Sequence, residues 1–157
     1  MKRVKRILKW FLVIVVLAFV GVQFIRPART NPAIDPSQTL ESQAQVDPKV
    51  LAILNRSCVD CHSYKTRWPW YSNVAPVSWF VIDHVNHGRS NLNFSEWGKY
   101  TAKRKGDKLD GMCELVKSGE MPLSSYTPMH PGSKLTGEEV KAICEWANAE
   151  NELLRSR

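Results

Sequence analysis

The sequence feature that most limits the possible folds is the pentapeptide CVDCH at residues 58–62. Two cysteines separated by two residues and followed directly by a histidine are typical of c-type haem attachment. At a helix end, this spacing lets each thiol add to one vinyl group of a single porphyrin and holds the imidazole beneath the iron. The motif therefore predicts one covalent haem c, with Cys58 and Cys61 as attachment residues and His62 as the proximal iron ligand.

Other sites also use a CxxC spacing, namely zinc sites and thioredoxin-like redox pairs. A zinc site would need a second comparable pair, whereas Cys113 and Cys144 stand singly in the sequence. A redox CxxC normally lies in a βαβ unit, and no alternating strand pattern of useful length is present. Haem attachment is therefore the favoured interpretation.

The positive charge is concentrated at the amino terminus. The chain has 22 Lys+Arg and 15 Asp+Glu, a formal net charge of +7. The first 29 residues contain no acid and account for this whole excess through Lys2, Arg3, Lys5, Arg6, Lys9, Arg26 and Arg29. The remaining chain is neutral by this count, so a nucleic-acid partner is not expected.

The apolar run WFLVIVVLAFVGVQFI at residues 10–25 has Gln23 as its one polar residue. With Lys9 reaching the interface, such a run is just long enough to span a bilayer. A cleaved secretory signal is the alternative, but no A-x-A-like pair of small residues follows Ile25. We therefore expect residues 1–25 to form an uncleaved transmembrane anchor. More cations precede the run than follow it, which predicts a cytoplasmic amino terminus and a periplasmic haem domain at the cell inner membrane.

Residues 26–46 are rich in Pro, Ser, Thr and Gln without an apolar period, so they are expected to form a flexible tether. Residues 47–157 are expected to form a small all-α haem-binding domain, because helical signals recur and strand signals do not. The predicted helices run from the Asp47 N-cap to Cys58, over Val77–His87 with a stop at Gly88, from about Ser95, over Lys108–Lys117, and from a capping box at Thr136 to about Leu154.

The motif order over residues 58–97 and 119–146 resembles the bacterial haem-binding domain family of small, membrane-attached, cytochrome c-like proteins. The second stretch is GEMPLSSYTPMHPGSKLTGEEVKAICEW. More broadly, a helix entering CxxCH, a late Met-Pro and a carboxy-terminal helix are similar to class I cytochromes c. The resemblance implies haem binding and a cytochrome c-like helical domain wrapped around one covalent haem, here with a transmembrane helix before it.

The sixth iron ligand would separate electron transfer from ligand binding, because a Met/His pair fills both axial positions and an open site does not. Met121 is the leading candidate, since it precedes Pro122 in a short loop that resembles the distal-ligand loop of class I cytochromes c. His130 is the main alternative. The other candidates are His84, His87, Met112 and Met129.

Four further expectations concern the surroundings of the haem. By similarity to cytochromes c, the Pro76 carbonyl is expected to accept a hydrogen bond from the second nitrogen of His62. Aromatic and cationic side chains after the motif are expected to pack on the porphyrin or reach its propionates, namely Arg67, Trp68, Trp70 and Tyr71. Cys113 and Cys144 are expected to form a disulfide or to remain two buried thiols. A basic cluster is expected to be a solvated helix face or a docking patch for an acidic redox partner, and comprises Lys99, Lys103, Arg104, Lys105 and Lys108.

The sequence thus favours a membrane-anchored monohaem cytochrome that passes single electrons to redox partner proteins. A haem-based sensor or small-ligand-binding module is the alternative, and a haem peroxidase is a third. No distinct catalytic constellation is visible, so an enzyme is the least favoured of the three.

Overall fold

The computed structural model describes residues 2–156, so the first residue of the expected anchor and the last of the expected domain lie outside the described residues. These residues form helices and loops, with no strand among them. The α-helices are α1 Lys2–Val22, α2 Leu40–Gln43, α3 Pro48–Ser57, α4 Val59–His62, α5 Val77–Asn91, α6 Ala102–Ser118 and α7 Gly137–Arg155. Short 3-10 helices occur at Pro36–Gln38, Trp70–Asn73, Phe94–Lys99 and Thr127–Met129.

Local capping signals determine where several of these helices begin. The Asp47 carboxylate accepts a hydrogen bond from the Lys49 amide at 2.7 Å, and Pro48 occupies the first position of α3. At α7, the Thr136 hydroxyl accepts from the Glu139 amide while the Glu139 carboxylate accepts from the Thr136 amide. The two predicted helix starts are confirmed.

Three helix boundaries differ from the sequence prediction. Helix α5 continues through Gly88 to Asn91, so Gly88 is not its end. Helix α6 begins at Ala102 rather than Lys108, because the Thr101 hydroxyl caps it by accepting from the Arg104 amide. The helix expected from about Ser95 is the 3-10 helix Phe94–Lys99, whose start is capped by Asn93.

The core lies where α6 and α7 pack side by side, with α3 against α7. Cys113 of α6 and Cys144 of α7 form a disulfide inside this contact. Its most buried large side chains are Leu40, Leu54, Trp97, Leu109 and Ile143. Burial of such apolar groups is the main stabilising contribution to a helical domain of this size.

The expected flexible tether at residues 26–46 is instead packed on the domain from Arg29 onward. Leu40 is only 1% exposed and belongs to the core. The Asn31 side-chain amide donates to the Thr66 carbonyl at 2.8 Å, and Arg29 donates to the Ser72 hydroxyl. Arg89 also donates to Thr30 and Asn31. The prediction failed because single residues make these contacts, without the periodicity that marks a helix.

The prediction of a transmembrane anchor is wrong. Among residues 2–156, none of the helices combines the length and the apolar character that crossing a membrane requires. In α1, the apolar stretch begins at Trp10, after five basic residues, and the helix ends at Val22. This apolar part is shorter than the about 20 residues that a bilayer core needs. The inner-membrane and periplasmic localisation depended on that anchor and loses its basis with it.

Candidate haem site

A cavity of about 400 Å³ lies between α4 and α5 on one side and α6 with its following loop on the other. Cys58, Cys61, His62 and Met121 all line it. A second cavity of about 360 Å³ adjoins the first. The residues that line both cavities are Cys61, His84, Leu123 and Tyr126.

The attachment motif forms the turn between two helices. Helix α3 ends at Ser57, and α4 starts at Val59, with Cys58 as the junction. The amides of Cys61 and His62 both donate to the Cys58 carbonyl, at 3.1 and 3.0 Å. This turn brings the two free thiols to the wall of the same cavity.

The environment of the two thiols disfavours their charged form. Desolvation raises the pKa of Cys58 to about 12, and the neighbouring Cys61 adds to this effect. Desolvation, with a contribution from the Asp60 carboxylate, raises the pKa of Cys61 to about 11. Both groups are therefore protonated thiols at neutral pH in the folded, haem-free protein.

His62 is held by two backbone carbonyls of α5 and its C-cap. Its Nδ1 atom lies 3.1 Å from the Gly88 oxygen and 3.1 Å from the Leu92 oxygen. Desolvation lowers the pKa of His62, so the neutral imidazole is favoured at neutral pH. With carbonyl acceptors at Nδ1, that nitrogen carries the proton, and Nε2 keeps a lone pair for a metal.

The second partner of His62 was expected to be the Pro76 carbonyl, and this prediction is wrong. The Pro76 oxygen instead accepts from the amides of Trp79 and Phe80 at the start of α5. Pro76 precedes the first turn of that helix, whereas His62 contacts its last turn. His62 Nδ1 does contact backbone carbonyl oxygens, but those of Gly88 and Leu92.

Gly88 is a site residue that the sequence interpretation missed. A Cβ atom at this position would lie 2.6 Å from the Cys61 carbonyl oxygen. Glycine therefore allows α5 to approach the haem-attachment turn closely enough to hold His62. The sequence pattern predicts a helix stop here instead, because glycine is also enriched at helix ends.

The two candidate distal ligands lie in different cavities. Met121 follows α6, lines the first cavity together with His62, and donates its amide to the Leu115 carbonyl. His130 lines the second cavity, where its ring stacks on Tyr126 with centroids 3.7 Å apart. Met112, His84 and His87 line the first cavity, and Met129 lines the second.

Three of the four residues expected to surround the haem line the second cavity, namely Arg67, Trp70 and Tyr71. Trp68 lines neither cavity. The Arg89 guanidinium carbon lies 5.9 Å from the centroid of the Trp68 ring. Within the basic cluster, Lys99 pairs with Glu96 and Lys103 with Asp107. The cluster is divided between the 3-10 helix Phe94–Lys99 and α6, and Lys108 lines the first cavity, so the solvated face and the docking patch both stay predictions.

Asp60, inside the attachment motif, is a second residue that the sequence interpretation missed. It is 7% exposed, and its carboxylate accepts hydrogen bonds from Arg67 and from the Tyr126 hydroxyl. The pairing raises the pKa of Arg67. Tyr126 lies 66 residues away along the chain, so no local pattern indicates this contact.

The residues fit a haem group in several respects. The His62 imidazole, two free thiols and a methionine line one cavity. The buried Ser57 hydroxyl on the same wall has no hydrogen-bond partner among the described residues, as expected where a bound group or water completes the site. Residues 2–156 contain no group of three or more His, Cys, Asp or Glu side chains that could hold a metal ion by themselves.

Paired thiols and an imidazole in one cavity are the groups that c-type haem attachment uses. In agreement, the family model described as Haem-binding domain matches residues 17–149, and the chain belongs to this family. No curated protein and no solved structure shows a significant match to the chain. The protein thus contains a haem-binding domain, and the resemblance noted from its motifs is confirmed at the level of the family.

Proposed function

We propose that this protein is a monohaem c-type cytochrome that transfers single electrons. Cys58 and Cys61 hold the haem through thioether bonds, His62 is the proximal ligand and Met121 is the distal ligand. The observation that carries this proposal is that these four side chains line one cavity of about 400 Å³. When bound, the haem would provide an iron that accepts and releases one electron reversibly.

The chain's own residues would hold the two axial positions differently. The carbonyls of Gly88 and Leu92 fix the orientation of the His62 ring and keep its proton on Nδ1. Met121 offers a neutral thioether, and a Met/His pair favours a higher reduction potential than two imidazoles do. If His62 and Met121 both ligate the iron, no open coordination position would remain for a substrate. This ligand set therefore supports electron transfer rather than catalysis.

We further propose that a redox partner protein binds beside Cys61, at the rim of the second cavity. Four large apolar side chains are exposed there, Trp70, Val77, Phe80 and Met129, at 73%, 46%, 52% and 54% of their surface. Transient electron-transfer complexes use small interfaces, and a patch of this kind next to a haem-attachment residue suits one.

Visible and near-infrared spectra of the Met121→Ala holoprotein test the ligand assignment. We expect the sulfur-to-iron band of the ferric wild-type protein to disappear and the ferrous variant to bind carbon monoxide rapidly. Met129→Ala is the matched control and should leave both properties unchanged, because Met129 lines the other cavity.

An unchanged sulfur-to-iron band in Met121→Ala would overturn the assignment. Rapid carbon monoxide binding by the ferrous wild-type protein would instead favour a haem sensor or small-ligand-binding module. Loss of the low-spin spectrum in His130→Ala alone would make His130 the distal ligand.

A further inference from the structure

The loop between α6 and α7, residues 119–135, carries Met121 and is called the distal loop below. Most of its hydrogen bonds are internal or join it to its flanking helices. Among the described residues, two bonds connect it to the rest of the protein. The Tyr126 hydroxyl donates to the Asp60 carboxylate at 2.9 Å, and the Tyr71 hydroxyl lies 3.4 Å from His130 Nε2.

The two connections belong to one compact unit of the distal loop. The rings of Tyr126 and His130 stack with an interplanar angle of 13°, and His130 Nδ1 lies 3.0 Å from the Tyr126 carbonyl oxygen. At 3.4 Å, the contact of Tyr71 is long for a hydrogen bond. The Tyr126–Asp60 bond is therefore the stronger of the two links.

The Asp60 carboxylate is well placed to hold the Tyr126 hydroxyl in one position. It lies between the two attachment cysteines and is 7% exposed. The Arg67 amide and guanidinium donate to the same carboxylate at 3.1 to 3.2 Å, which fixes the orientation of its oxygens. The bond that Tyr126 makes is thus a charge-assisted one to a preorganised acceptor.

We propose that Asp60 and Tyr126 are positioning residues for the distal ligand: their hydrogen bond holds the distal loop against the haem-attachment turn and so keeps Met121 at the iron. This inference rests on the proposed ligation by Met121. One consequence is that the bond limits the access of small exogenous ligands, because a ligand can reach the distal face of the iron only when the loop moves away.

The test is the affinity of the ferric holoprotein for imidazole, measured by titration, together with the sulfur-to-iron band. A hydrogen bond to a charged group changes an equilibrium by roughly ten- to a hundredfold. Tyr126 is only partly buried, so we expect Tyr126→Phe to raise the imidazole affinity about tenfold. The sulfur-to-iron band should also be lost at a lower temperature.

Tyr100→Phe is the matched control. It likewise removes a hydroxyl that makes one hydrogen bond, here with the Asn93 amide at 3.0 Å, but at a site outside the distal loop. We expect an imidazole affinity within about twofold of the wild type. Asp60→Asn keeps an acceptor oxygen without its charge and should increase the imidazole affinity less than Tyr126→Phe does. If Tyr126→Phe yields too little holoprotein, the imidazole affinity of Asp60→Asn tests the proposal instead.

Wild-type imidazole affinity in both Tyr126→Phe and Asp60→Asn would overturn the proposal, as would an equal increase in Tyr100→Phe. These outcomes differ from failure of the proposed function. A wild-type protein without a sulfur-to-iron band would refute Met121 ligation itself, whatever the variants do.

Discussion

Replacement of Gly88 by alanine tests how the proximal side of the site is held together. The new Cβ atom would lie 2.6 Å from the Cys61 carbonyl oxygen, whereas ordinary contacts begin near 3.4 Å. Helix α5 and the attachment turn must therefore move apart by roughly 0.8 Å. Both carbonyls that contact His62 Nδ1 belong to this end of α5 and now lie 3.1 Å away, close to the limit of a good hydrogen bond.

Two destabilising effects and one stabilising effect set the change that Gly88→Ala makes in the free energy of unfolding. Overpacking costs about 1–3 kcal/mol, and weakened bonds to His62 add about 0.5–1.5 kcal/mol. Alanine in place of glycine within a helix returns about 1 kcal/mol. The expected net loss in the free energy of unfolding is thus about 0.5–3.5 kcal/mol, measured by urea denaturation of the holoprotein.

Gly137→Ala is the control for this experiment, because Gly137 is exposed at the start of α7 and a Cβ atom added there would meet no atom within 4 Å. It should be neutral or slightly stabilising. Gly88→Ala should also raise the reduction potential or weaken the low-spin spectrum, because weaker hydrogen bonds at Nδ1 make His62 a less basic iron ligand. A Gly88→Ala protein as stable as Gly137→Ala, with an unchanged spectrum, would refute the close-packing argument.

Two further predictions concern the packed amino-terminal segment and the thiols. Leu40→Ala should cost about 2–5 kcal/mol in denaturation experiments because Leu40 is in the core, while Phe24→Ala, at a side chain 84% exposed, should change stability by less than about 0.5 kcal/mol; equal effects would mean that the segment around Leu40 is not packed. With pKa values raised to about 12 and 11, Cys58 and Cys61 of the folded haem-free protein should react with iodoacetamide at about pH 8 more slowly than after unfolding in urea, on the order of a thousandfold and a hundredfold respectively. Equal rates before and after unfolding would contradict their desolvation.

The parts of this structure that sequence could predict are those that local chemistry determines. Asp47 and Thr136 start their helices through side-chain bonds to amides two or three residues away, so a short pattern carries the whole signal. The CVDCH spacing likewise places two thiols and an imidazole on one turn. These features need no knowledge of the rest of the fold.

The features that sequence failed to predict depend on contacts between distant segments. Glycine is common at helix ends, but Gly88 is needed because α5 approaches the Cys61 carbonyl too closely for a Cβ atom. Leu40 lies in a segment without periodicity and is buried by residues far along the chain. Similarity to cytochromes c predicts the Pro76 carbonyl as the partner of His62, whereas here the opposite end of α5 supplies the carbonyls.

The apolar run of residues 10–25 was misjudged for a different reason. Its composition suits a membrane helix, but composition does not fix where a helix ends. Helix α1 ends at Val22, and its first turns are basic. The apolar part that remains helical is too short for the predicted span.

The most direct test of the central claim is the intact mass of the purified protein after denaturation and acid-acetone extraction. We predict the mass of the polypeptide plus one haem, and loss of that haem in the Cys58→Ala/Cys61→Ala double variant. A wild-type chain that releases all of its haem on extraction would contradict covalent attachment through Cys58 and Cys61.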